Sequence, residues 1–204
     1  MIKKVIFLLP AVIMTLNLNA QFIFERNTVQ RYRIIEDSLK SESLRLQKYK
    51  VTADYFPGAK PLQEYYPLTC RRTEDSFNPY CKLQYYYNDV DSLVHTIVME
   101  WNLMNQITDL TKDQELITAQ VDRKEEYIQK YNQVKGDLIK KFGEPTSQKE
   151  VTDHVDEVTG EATWELLDKR IKITLNFTPI LKDLGKNKTG TFRIRIKTIL
   201  KSRP

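Results

Sequence analysis

The chain is poor in the residues from which many enzymes build their sites: it holds six glycines, two histidines and two cysteines in 204 residues. So few glycines leave little material for phosphate-cradling loops, and no glycine-rich phosphate motif, G-x-S-x-G elbow or H-E-x-x-H helix occurs. His95 falls within a strand-like stretch with no nucleophile beside it in sequence, which leaves a general base without a partner. After residue 21 no apolar run approaches the ~20 residues needed to cross a bilayer as a helix. Motif-based nucleotide, acyl-transfer and metalloprotease chemistries are therefore not indicated.

The apolar run that does exist is at the start. Lys3 and Lys4 precede Val5 to Leu18, and Asn19 and Ala20 follow, which is the charged, apolar and small-residue order of a secretory leader. The run is broken by Pro10 and Asn17 and is too short for a permanent anchor. Export to the periplasm or beyond, with cleavage near Ala20-Gln21, is the expectation. No cysteine lies at the boundary to carry a lipid.

Without Lys3 and Lys4, the 32 basic residues become 30 against 27 acidic ones, a net charge of +3 over 184 residues. A mildly basic exported chain gives no reason to expect nucleic acid. The cations crowd the C-terminal end, where Lys182, Lys186, Lys188, Arg193, Arg195, Lys197, Lys201 and Arg203 face only Asp183. In an oxidising compartment Cys70 and Cys81 are expected to form a disulfide.

Hydrophobic spacing sets the elements. Val29, Tyr32, Ile35, Leu39 and Leu46 follow one side of a helix between Thr28 and Tyr49. Residues 51–80 carry Pro57-Gly58, Pro61, Pro67 and Asn78-Pro79 and read as irregular connections with one short strand. Lys82 to Tyr87 and Leu93 to Trp101 form a hairpin around Asn88-Asp89-Val90-Asp91. Thr111 and Gln114 offer a capping-box start to a long helix whose stripe is Tyr127, Tyr131, Val134, Leu138 and Phe142, and the stripe weakens near Gln120. Lys140, Lys141, Gly143 and Pro145 end that helix.

The period then changes to two. With Asp168-Lys169 as a turn, Trp164 faces Ile173, Leu166 faces Ile171 and Glu165 meets Lys172. Phe192, Ile194 and Ile196 point inward from the last strand while Arg193, Arg195 and Lys197 point outward. The order of helix, strands, helix and strands indicates an α+β fold with antiparallel sheet and two main helices packed on it. We read one domain over 21–204, with a division into two helix-plus-meander halves, about 21–105 and 106–204, as the alternative.

The segments KKFGEP, TWELLDKRIKITLNF and FRIRIK, with a leader ending in Asn19-Ala20 before Gln21, resemble small exported proteins of unknown function common in Bacteroidetes. The resemblance covers the leader and residues from about 127 to 200. Its motifs are structural and imply no site residue.

Two candidate sites emerge. Arg170, Lys172, Arg193, Arg195 and Lys197 would gather on one sheet face, suited to an envelope protein or an acidic glycan. Against this stands a solvated face whose acids, such as Glu165, neutralise it. The second is Asp153, His154 and Asp156, near Glu157 and Glu161 around Gly160, which mixes carboxylate and imidazole at no known metal spacing. Tyr65, Tyr66, Tyr80, Tyr85, Tyr86 and Tyr87 are a third, aromatic feature, open to partner contact where exposed. The expectation is a non-enzymatic binding or accessory protein of the envelope without a cofactor. A metal-assisted envelope hydrolase is the alternative.

Overall fold

Thr28 starts the first described helix: its hydroxyl accepts the Arg31 amide at 3.3 Å and leads into α1 (Val29–Ser38). The computed structural model describes residues 22–44, 49–50, 64–87, 90–109, 112–154, 157–184 and 187–201. The leader 1–20, Pro57-Gly58, Pro61, Asn88-Asp89, Thr111, Asp156, Lys186 and Arg203 lie outside them. α1 stops well short of Leu46. Lys40 turns left-handed at φ 55°, and the amides of Lys40 and Ser41 close back on the carbonyls of Asp37 and Glu36 at 3.0 and 2.9 Å. That double closure is a Schellman stop with lysine at the position glycine favours.

The chain continues through β1 (Glu42–Ser43), a ribbon of β2 (Tyr49–Lys50) and β3 (Glu64–Tyr65), and the strands β4 (Leu68–Glu74), β5 (Phe77–Tyr87) and β6 (Val94–Asn102). A 3-10 turn at Leu103–Asn105 leads to α2 (Gln114–Ala119), a second such turn at Val121–Arg123, and α3 (Lys124–Phe142). The chain closes with β7 (Ser147–Asp153), β8 (Val158–Glu165), β9 (Lys169–Leu184) and β10 (Asn187–Leu200).

Eight of the strands form one antiparallel sheet in the order β1-β4-β5-β6-β10-β9-β8-β7. In each half a helix precedes four strands that step from the sheet edge to its centre. The last strand of each half meets the other at a central seam, where Ile196 stands opposite Met99. This is the expected α+β architecture. α1 packs on β4 and β5, and α3 on β9 and β10.

The core lies between the helices and the sheet. Tyr127, Tyr131, Val134 and Leu138 of α3 are buried, together with Ile171, Ile173, Leu175, Phe177, Phe192, Ile194 and Ile196 from the strands beneath. The Tyr127 ring meets Phe77 at 5.2 Å and Phe177 at 5.4 Å. Gly160 of β8 makes room for Tyr131, since a Cβ there would stand 3.2 Å from its ring. Gly143, at φ 80°, ends α3, and its carbonyl accepts from Trp164 Nε1 at 2.8 Å. Phe22 and Phe24 are also buried, held where Lys141 and Lys169 donate to their carbonyls, each at 2.7 Å.

Five sequence expectations are corrected. Cys70 and Cys81 are free thiols rather than a disulfide. Cys70 pairs with Leu83, and Cys81 with Arg72, so the two cysteines are diagonal neighbours across the strands. Diagonal Cα atoms lie ~7–8 Å apart, beyond the ~5.5–6 Å typical of a disulfide. Second, the stretch after Pro67 is strand, with Leu68 and Cys70 inward, and Asn78-Pro79 lies inside β5.

Third, the helix before Gly143 is broken around Gln120 into α2 and α3. Fourth, Asp113 occupies the N-cap of α2, with its carboxylate taken by the amides of Thr108 and Asp109. Fifth, the Trp164 hairpin is shifted: Trp164 pairs with Ile171, Glu165 with Arg170 and Thr163 with Lys172. Its turn is Leu167-Asp168, closed by the Leu166 amide on the Lys169 carbonyl at 2.8 Å. Lys169 belongs to the strand because its buried side chain crosses the Phe142 ring to reach Phe24.

Candidate functional site

The sheet face away from the helices differs between the halves. Over the first half the β2–β3 ribbon covers it, with Tyr49 and Tyr65 packed on buried Tyr86 and Val98. Tyr49 also accepts from Lys82 Nζ at 3.1 Å. Over the second half no described residue covers the face, and it carries a groove of about 350 Å³ lined by Glu161, Glu165, Arg170, Lys172, Lys197 and Ile199, with Ser147 and Thr163. The groove begins where the ribbon stops, since Val98 is the β6 neighbour of Lys197.

All five candidate cations reach this face. Lys197 stands directly opposite Lys172, Arg195 opposite Thr174, Arg193 opposite Asn176 and Arg170 opposite Ile199. They do not form a uniform basic patch. Lys172 pairs with Glu161 at 2.7 Å, Arg170 with Glu165 and Arg195 with Glu100. The face is a ladder of mixed charge, with three of the five cations held by acids. Its field is short-ranged, and exposed pairs of this kind add little stability.

The acidic loop gains no matching constellation. Asp153 Oδ2 is held by Lys124 Nζ at 2.8 Å, and His154 exchanges backbone hydrogen bonds with Glu157. Among the described residues no group of three histidine, cysteine or carboxylate side chains is gathered. His95 lies half-buried in β6, where burial and the Arg26 charge lower its pKa. Of the six tyrosines, Tyr85 and Tyr86 are buried and only Tyr66 is exposed, at 43%. Among the described residues no helix is long and apolar enough to cross a membrane.

The helix side holds what the sequence did not announce. Glu36, 2% exposed, accepts from Arg72 Nε at 3.0 Å and from an Arg72 terminal nitrogen and the Ser41 hydroxyl, both at 2.5 Å. The Tyr85 hydroxyl donates to it as well, and Tyr32 stacks on Tyr85 with ring centres 4.5 Å apart. Burial pulls the Arg72 pKa down, but its hydrogen bond and attraction to Glu36 outweigh that and leave it raised. A second pair stands nearby: Glu74 accepts from Trp101 Nε1 at 2.7 Å and from Lys130. The Lys130 ammonium lies 5.2 Å from the Trp101 ring centre.

Between these pairs opens a cleft of about 380 Å³, with Leu39, Cys81 and Met99 as its apolar lining, Arg72 and Glu74 as polar walls, and Lys40 and Thr73 at the rim. Burial, with the Glu36 charge adding, pushes the Cys70 thiol up to about 11. Burial also pushes the Cys81 thiol well above its ordinary value. Both are protonated near neutral pH and unsuited to nucleophilic catalysis.

No family model, curated protein or solved structure matches this chain.

The functional reading therefore rests on geometry alone. A charged residue inside an apolar helical stripe reads as surface, which hid Glu36. The available signal was Arg72 and Glu74 at the inward positions of a strand, where charge is costly unless it is paired.

Proposed function

We propose that this is a non-enzymatic binding or accessory protein of the cell envelope, akin to the small exported Bacteroidetes proteins that it resembles, and that the outer face of its second half, uncovered among the described residues, meets a partner. One observation carries the reading. The two halves share a topology, yet the ribbon covers the outer face of one while the other offers a charged groove. Because each acid in the ladder sits beside a cation, the face suits a partner that presents both signs at matching spacing. An envelope protein fits that description better than a uniformly anionic glycan.

The test is site-specific photo-crosslinking in envelope extracts, with the probe at position 197 on the groove or at exposed position 132 on the far side of α3. A discrete protein adduct from 197 and none from 132 is expected. It should be lost in Lys172→Glu, provided that circular dichroism and Tm show the variant folded. Equal adducts from both positions, or none from 197, would remove the groove from the reading.

A further inference from the structure

The cleft beside α1 is separate from the outer face, and its charges can be balanced residue by residue. Arg72 is neutralised by Glu36 and Glu74 by Lys130. Among the described residues the remaining lining charge is Lys40, exposed at the rim. The apolar lining is a leucine and two sulfur-bearing side chains, Leu39, Cys81 and Met99. The volume of about 380 Å³ holds roughly a dozen water-sized groups at ~30 Å³ each, small for a drug-sized ligand but ample for a short acyl chain.

Lys40 adds a second, independent observation. Its φ of 55° lies in the left-handed region, where glycine is at ease and a side chain costs stability. The Schellman stop would form more favourably with glycine. Of the two described non-glycine residues with positive φ, Lys40 and Ser92, Lys40 is the one that lines the cleft. Local rules are most often broken where a site needs the residue.

We infer that the cleft binds a small amphipathic carboxylate, with its apolar chain against Leu39, Cys81 and Met99 and its carboxylate on the Lys40 ammonium. Such a site takes a free acid of medium chain length and releases it unchanged. No step of chemistry is involved, in keeping with the protonated thiols.

The probe is octanoate, titrated calorimetrically into the purified protein, with acetate and octan-1-ol as controls for chain and charge. Saturable octanoate binding is expected, with acetate inert and octanol about tenfold weaker, as the loss of one charge-assisted contact implies. Lys40→Gly should raise Tm by about 2–4 °C and weaken octanoate about tenfold, whereas Lys40→Arg keeps the affinity. A substitution that stabilises the fold while removing binding cannot be mistaken for misfolding. Thr73→Trp at the rim should block entry. The inference is overturned if octanoate does not saturate, if octanol binds equally, if Lys40→Gly binds as the wild type does, or if Thr73→Trp leaves affinity unchanged.

Discussion

Arg72→Met removes the only salt-bridge partner of Glu36 described on the strand below α1. Glu36 is 2% exposed, so the carboxylate left behind keeps the Ser41 and Tyr85 hydroxyls but loses its counter-charge. Breaking a buried pair from one side costs about 3–5 kcal/mol. Glu36→Met should cost a similar amount, because it strands a guanidinium whose side chain is 14% exposed together with two hydroxyls. For a chain of this size each kcal/mol moves Tm by ~2–4 °C, so either single variant should fall by about 6–20 °C. The double variant replaces both charges with apolar volume and should recover most of the loss. Urea denaturation of wild type, both singles and the double closes the cycle. Single costs below about 1 kcal/mol, or a double equal to the sum of the singles, would refute the claim that the pair acts as one buried unit.

Other measurements probe the remaining features. Cys70, pushed up to about 11, and the buried Cys81, Tyr32, Tyr85, Tyr127 and Tyr131, all raised chiefly by desolvation, keep protons that the unfolded chain releases from about pH 8.5 upward. Their stabilisation is complete below that pH and is lost as pH rises, so denaturation midpoints should drop steeply above pH 9; a flat profile to pH 11 would contradict their burial. Thiol titration without reductant should find two reactive groups after unfolding and almost none before, since both cysteines are free and buried; none after unfolding would restore the disulfide. The buried Tyr131 hydroxyl and Thr198 Oγ1 have no hydrogen-bond partner among the described residues. Tyr131→Phe and Thr198→Val should therefore leave stability unchanged or raise it by up to ~1 kcal/mol, and a loss of 2 kcal/mol or more in either would reveal a missed partner.

Elements whose pattern admits one solution were legible in the sequence. The α3 stripe and its stop at Gly143 follow from spacing and glycine chemistry, and the inward Phe192, Ile194 and Ile196 follow from alternation. The Trp164 hairpin shows the boundary of that legibility. Sliding its register by two residues keeps every side chain on the same face, so apolar and charge patterns score both alignments alike, and only the tertiary anchor of Lys169 on Phe24 separates them. The cysteines failed for a related reason: sequence separation says that two strands can bring them close, but only register says they meet on a diagonal. The neighbours Glu161 and Glu165 that pair with Lys172 and Arg170 lie on the adjacent strand, whereas the partner of Arg195 is Glu100, from a strand more than ninety positions away in sequence. Glu36 was illegible because its partners Arg72 and Tyr85 come from other elements.

The central seam also imposes an order in time. β6 is rich in apolar and β-branched residues, and its inner neighbour is β10, the last described strand. As the chain emerges, the first half can complete its meander while β6 presents an unpaired edge until residues near 200 arrive. An edge of that composition is a template for wrong partners. A chain released whole would meet its own β10 promptly, whereas folding of the first half before residues near 200 arrive would leave the edge waiting. Early folding of the first half, rather than instability of the finished protein, is thus where this architecture is most exposed to aggregation.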